Sequence, residues 1–228
     1  MTEEVFQKIR ECAENEIKGT TDAGHDMNHV MRVYNLALTI AKNEKDVDLE
    51  VLQAAALLHD IGGHKEMSDP TGRTDHAIVS AEMSEPILAK LGFAGGKIKY
   101  IQDCIISHRY KTENKPTTIE AKILFDADKL DSLGAIGVAR AFIWIEKNHA
   151  NIYKKVDIDE YIKENMNGKI NGRIQDKSKH SPQIEFEVKT KFLIDKLYTE
   201  TAKKICQERF EFFKNFLERL EREINGEI

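Results

Sequence analysis

LLHDIGGHK, residues 57–65, starts apolar and turns polar without a transition. Leu57 and Leu58 end an apolar run that should be buried, His59 and Asp60 follow at once, and Gly62-Gly63 breaks the pattern before His64. His59 lies seven positions after Leu52 and four after Ala55, so a helix through all three sets the imidazole on the buried stripe. An unpaired imidazole is costly there. What the chain brings to meet it decides how the sequence is read.

Working outward, the pattern is helical on both sides. Val5, Ile9, Ala13 and Ile17 recur at helical spacing over residues 2–18, and the loop GTTDAG follows. Asp26 is placed to cap a second helix with Val30, Val33, Ala37 and Ile40 inward, and Asp48 to cap a third that runs through Leu52 and Ala55 to His59. A polar loop over 62–74 leads to a fourth helix from Asp75 to Leu91 with Pro86 inside it, and Gly92, Gly95 and Gly96 precede a fifth through Ile98, Ile101, Ile105 and His108. Past Pro116 a sixth helix spans 118–133, and Gly134 opens a seventh to Asn148. Residues 151–182 lose the pattern and read as an exposed, mobile connection, whereas 183–224 keep helical period throughout and read as one long helix. The expectation is an all-α bundle: a core over 1–150, then a connection and a long C-terminal helix that packs on the core or on a second copy of the chain, which would make a homodimer.

Composition agrees. With 228 residues, 41% apolar, 32% charged and only four prolines, the chain suits a helical globular protein better than a sheet sandwich, whose turns need more breakers. A net charge of -5 gives no general attraction to a phosphate backbone, so duplex nucleic acid is not an expected partner, while a small anionic substrate is not excluded. Cys12, Cys104 and Cys206 are far apart and odd in number, and read as core residues in a reducing cytoplasm. No apolar run approaches the length of a membrane span, and the first residues are acidic where a signal peptide is basic; a cytoplasmic protein with no membrane partner is expected.

A second buried polar group meets the first. Asp128 follows Leu124 by four and Ala121 by seven, so the sixth helix turns a carboxylate inward, and a buried carboxylate needs a partner. One arrangement satisfies the set: His29, His59, Asp60 and Asp128 around one divalent cation. Nitrogen and oxygen donors of this kind suit iron, manganese, nickel, cobalt, zinc or magnesium, with positions left for water and substrate. Neighbours on a helix project about 100° apart, so His59 and Asp60 share an ion only beside the helix end, where Gly62 and Gly63 give room.

The strings GHDMNHVMRV, AAALLHDIGGHK and LFDADKLDSLGAIGVAR resemble the HD-domain superfamily of metal-dependent phosphohydrolases, and its small bacterial branch of predicted hydrolases in particular. The likeness covers about residues 22–148. It implies an α-helical fold with first-metal ligands His29, His59, Asp60 and Asp128. His76 and His108 fit the order of members that hold two metals, with Asp60 as the bridge; the alternative is that His76 caps or packs near a helix start and His108 bonds in the wall. No Glu stands soon after HD and no GYP follows, so neither an alarmone hydrolase nor a cyclic dinucleotide phosphodiesterase is implied. A nucleotide substrate is.

A metal-activated water attacking phosphorus calls for cations near the ion. Arg32, one turn beyond His29, Lys129 and Arg140 are candidates to bind the substrate, and Lys65 to act in catalysis; for each the alternative is a solvated surface charge, and for Arg140 a brace between helices. Asp131 is placed to orient the attacking water or contact a ribose hydroxyl, or else to cap the next helix. His64 is a candidate proton donor or an exposed loop histidine. His25 reads as a capping-region residue, and His149 and His180 as surface residues. The expected activity is hydrolysis of a phosphate ester or anhydride of a nucleotide or similar small molecule, with a phosphodiesterase or a metal-containing sensing module as alternatives.

Overall fold

The computed structural model describes residues 1–18, 25–109 and 114–228, and among these it is helical with no strand. The expected GTTDAG loop lies outside the described residues. The chain divides into two compact units, residues 1–128 with 198–202, and residues 129–197 with 203–228. The division falls within one helix, Ile119–Leu130.

In the first unit, α1 (Glu3–Ile17), α2 (Met27–Ala41), α3 (Leu49–Leu58), the short α4 (Gly63–Ser68), α5 (His76–Lys90), α6 (Gly95–Ser107) and α7 (Ile119–Leu130) follow in order. Thr2, Asp26, Asp48 and Asp75 accept backbone N–H bonds at the starts of α1, α2, α3 and α5, as such residues do at an N-cap. α3 is the centre. Seven of its residues, from Val51 to Leu58, are buried, and it packs against α1, α2, α5 and α6; a helix apolar all round belongs inside a core. Its start is tied down by the buried Glu120 of α7, which accepts the Asp48 N–H at 2.6 Å and the Tyr100 hydroxyl. Its end points HD at the site.

The expected loop over 62–74 is corrected by α4, a helix too short to leave a periodic trace. Gly62 comes so close to α5 that a Cβ there would lie 2.8 Å from the Ser80 nitrogen and 2.8 Å from Val79 Cγ1. Its N–H donates to Ser80 Oγ at 2.9 Å.

In the second unit, α8 (Gly134–Lys147), α9 (Ile158–Asn165), α10 (Pro182–Val188) and most of α11 (Glu200–Ile224) carry two small cores. One joins Tyr161, Met166, Ile184 and Val188, the other Phe186, Phe213 and Leu217. Residues 151–182 are therefore not an exposed connection: Tyr161, Met166 and His180 are buried, and the Tyr161 hydroxyl meets His180 Nδ1 at 2.8 Å. His180 is no surface residue; its polar neighbours Tyr161, Asn165 and Glu185 hid it from a hydropathy reading. The single helix over 183–224 is likewise corrected. α10 ends at Val188, two 3-10 turns follow, and α11 starts only after Thr199, whose hydroxyl accepts the Ala202 N–H. The break is fixed by buried Asp126, whose carboxylate accepts Tyr198 N–H, Thr199 N–H and the Thr199 hydroxyl at 2.7–2.9 Å.

Candidate metal centre

Four histidines reach one place from four helix ends. His29 stands in the first turn of α2, where Asp26 accepts its N–H at 2.8 Å, and His76 is the first residue of α5. His59 and His108 are the C-caps of α3 and α6. The last carbonyls of a helix lack partners in the helix, and both C-cap rings fold back onto them: His59 Nδ1 lies 2.9 Å from the Ala56 oxygen and His108 Nδ1 2.6 Å from the Ile105 oxygen. A carbonyl only accepts, so Nδ1 carries the proton on both rings and Nε2 keeps its lone pair. His76 Nδ1 meets the Glu66 carboxylate at 2.6 Å, with the same result.

The freed Nε2 atoms face one another in pairs. His29 and His59 are 3.4 Å apart, His76 and His108 3.2 Å. Between the pairs lies Asp60, 3% exposed. Its Oδ2 is 3.4 Å from His29 Nε2 and 3.7 Å from His59 Nε2, while its Oδ1 is 3.5 Å from His76 Nε2 and 3.6 Å from His108 Nε2. Asp128 Oδ1 is 3.4 Å from His29 Nε2 and completes the first group. Two groups able to hold a metal ion meet at this place, His29, His59 and Asp128, and Asp60, His76 and His108, and a third, Glu66, Asp75 and His76, adjoins them through His76.

The donors fit a divalent cation. The lone pairs of His76 and His108 Nε2, aimed at each other without a proton between them, repel. Ligand atoms about 2.1 Å from a shared ion are separated by roughly 3.0–3.4 Å, close to the spacings here. Burial, opposed by the Asp60 charge, lowers His59 to about 4, and burial also lowers His76, so both rings are neutral and ready to ligate at neutral pH. Burial alone would raise Asp60, but the surrounding imidazoles hold the carboxyl well below the usual range, His25 as a hydrogen-bond donor. The C-termini of α3 and α6 are offset by the N-termini of α2 and α5, so the charge that favours a cation comes from Asp60 and Asp128.

The structure thus brings His29, His59, Asp60, Asp128, His76 and His108 together. His25, read from sequence as a capping residue, joins them: its Nδ1 donates to Asp60 Oδ2 at 2.8 Å and its ring lies beside those of His29 and His76. Glu66 and Arg109 had no sequence reading. Arg109 donates to both Glu66 oxygens, at 3.0 and 2.8 Å, and to Asp75 at 2.9 Å. Their only prior signal is adjacency, Arg109 to His108 and Asp75 to His76.

The other expected residues do not enter these donor groups. Arg32 is half-buried on α2 and Lys65 is exposed on α4. His64, half-buried, has an Nδ1 with no protein partner. Lys129, Asp131 and Arg140 fall in the second unit, whereas the cluster draws on first-unit residues alone. Asp131 is buried and takes a 2.7 Å ion pair from Arg140, and it is not the cap of α8, whose N-cap is Leu133.

A helical unit with a His-Asp pair at the end of its central helix defines a class, and residues 27–133 match the HD domain family. The chain belongs to that family. Among its relatives, YpgQ of Bacillus subtilis is 31% identical over 90% of this chain and 86% of its own. The crystal structure of YpgQ in complex with ADP has a TM-score of 0.70 at 25% identity, covering 97% of this chain and 98% of that one. A predicted HD superfamily hydrolase from an uncultured Thermotogales bacterium has a TM-score of 0.61 at 29% identity, covering 96% and 91%. The 3'-5' exoribonuclease YhaM of Bacillus subtilis is 29% identical over 46% of this chain and 37% of that protein. Family and neighbours together support a metal-dependent hydrolase.

Proposed function

We propose that this chain is a phosphohydrolase that uses a pair of divalent ions to cleave a phosphate ester or anhydride of a nucleotide or similar small molecule. The observation that carries the reading is the division of labour at Asp60, whose two oxygens each serve one histidine pair. His29, His59 and Asp128 with Asp60 Oδ2 would hold one ion, and His76 and His108 with Asp60 Oδ1 the other. Bound there, such ions polarise a phosphoryl oxygen and lower the pKa of water from 15.7 toward about 7.

The protein's own groups do the rest. The Nδ1 bonds of His59, His76 and His108 fix each ring before any ligand arrives, so no ordering cost falls on the reaction. His25, 38% exposed in its side chain, holds Asp60 from the open side of the cluster and keeps its carboxylate ionised. Arg32, on the same helix as His29, is the cation we assign to the phosphate. Arg109 is committed to two carboxylates and is not assigned that role. A nucleotide is favoured by the ADP bound in the YpgQ structure.

A phosphodiester is the second reading, favoured by the partial likeness to YhaM. The test is metal analysis of protein purified without chelator, followed by turnover of nucleoside mono-, di- and triphosphates and short oligonucleotides, with phosphate and pyrophosphate measured separately. Release of either from a nucleotide is the expected result; cleavage of oligonucleotides alone moves the assignment to the diester, and metal-loaded protein that binds nucleotides without turnover makes it a sensor.

A further inference from the structure

Besides His25, three clustered imidazoles are oriented through Nδ1, and among these three His76 differs in kind. His59 and His108 sit at helix C-termini, where spare carbonyls are at hand. His76 is the first residue of α5, and a helix start offers spare N–H groups but no spare carbonyl. Its Nδ1–H therefore needs an acceptor from outside its helix, and Glu66 supplies one from α4.

One carboxylate does this twice. Glu66 Oε2 accepts both the ring Nδ1–H at 2.6 Å and the backbone N–H of His76 at 2.9 Å, so it sets ring angle and helix start together. Glu66 is in turn clamped by the Arg109 fork, and the same guanidinium reaches Asp75, the residue before His76. Glu66, Asp75 and His76 by themselves have donor atoms close enough for a metal ion, but the cation against both carboxylates is Arg109. This knot is built around the second histidine pair: Asp75 precedes His76 and Arg109 follows His108.

We infer that Glu66, fixed by Arg109, is a positioning residue that loads the second ion site by aiming Nε2 of His76. The inference rests on the two-ion reading above. A carboxylate behind a ligating imidazole orients the ring and raises its donor strength, and losing such a partner weakens metal binding about 10–100-fold. The weakening falls on the Asp60, His76 and His108 site and leaves the His29, His59 and Asp128 site at its original affinity. Glu66→Gln keeps an acceptor without the charge and has the smaller effect, Glu66→Ala the larger, and Arg109→Ala acts in the same direction by freeing Glu66.

The experiment is titration of chelator-stripped, full-length protein with Mn(II), followed by calorimetry and by electron paramagnetic resonance, with circular dichroism and melting on each variant. In the parent protein we expect two ions and the exchange-coupled spectrum of a manganese pair. In Glu66→Ala we expect one tight ion, the isolated-ion spectrum, and return of the coupled spectrum only at about 10–100 times the metal concentration. Two ions bound by Glu66→Ala at parental affinity overturn the inference alone. Equal weakening of both ions with a lowered melting point also overturns it, because Glu66 then serves the fold. A parent protein that takes up a single ion overturns the two-ion reading on which the inference stands.

Discussion

In the two-ion reading proposed above, both sites depend on Asp60, and its removal is not equivalent to removal of any histidine. Asp60→Ala is expected to abolish binding of both ions and lower turnover by well over a hundredfold, since loss of a mere outer partner already costs about 10–100-fold; metal content and kcat on the same preparation check it. His108→Ala, by contrast, should remove about one equivalent. The buried imidazoles also set a pH dependence in the metal-free protein. His59 has a folded-state pKa of about 4 against 6.5 in a free chain, so between these values the unfolded chain holds a proton that the folded one refuses. Stability is then full above about pH 6.5 and falls as pH drops toward about 4, by on the order of 3 kcal/mol for this residue. His76 adds in the same direction, and Asp60, held low, loses its contribution only as the carboxyl protonates at still lower pH. Thermal unfolding of stripped protein from pH 7.5 to 4.5 should show the decline; a constant melting temperature would count against neutral, buried rings. Six clustered residues were legible in the sequence because each stands at a helix end in a recognisable order. Glu66 and Arg109, 43 positions apart, were not, because a charged residue in polar surroundings carries no periodic mark of the partner it will meet.

At the scale of elements, helix starts were legible at Asp26, Asp48 and Asp75, where an Asp precedes a long apolar stripe, and not at Asp157, which caps the eight-residue α9. Elements defined by distant contacts were not. α4 is short and is held by the approach of Gly62 to α5, so Gly62→Ala should cost about 1–3 kcal/mol as Val79 and the Ser80 backbone give way. Because Glu66 lies on α4 and His76 on α5, the same change should weaken the second ion more than the first, which Mn(II) titration separates. The break before α11 is set by Asp126, 72 positions upstream of Tyr198. Thr199→Ala should cost about 1 kcal/mol as a lost cap, and Asp126→Ala about 3 kcal/mol, since it leaves buried N–H groups without an acceptor. Urea unfolding distinguishes the two, and equal effects would show that Asp126 does no more than its partner hydroxyl.

For the whole molecule, binding at the cluster adds to stability as ligand does to any folded state that alone can hold it. Manganese at about a hundred times its dissociation constant should contribute about 2.7 kcal/mol, seen as a raised melting temperature that Asp60→Ala lacks. The class of fold was legible from helical period and scarce proline, whereas the return of residues 198–202 to the first unit leaves no mark in that period. The first unit takes residues 198–202 from far downstream, and Asp126, two positions before Asp128, is the group that receives them. During vectorial synthesis, every residue of the histidine and aspartate cluster has left the ribosome about seventy codons before the segment that seats Asp126 emerges. Until that segment follows, the carboxylate of Asp126 stands without the Tyr198 and Thr199 donors that it meets in the folded chain.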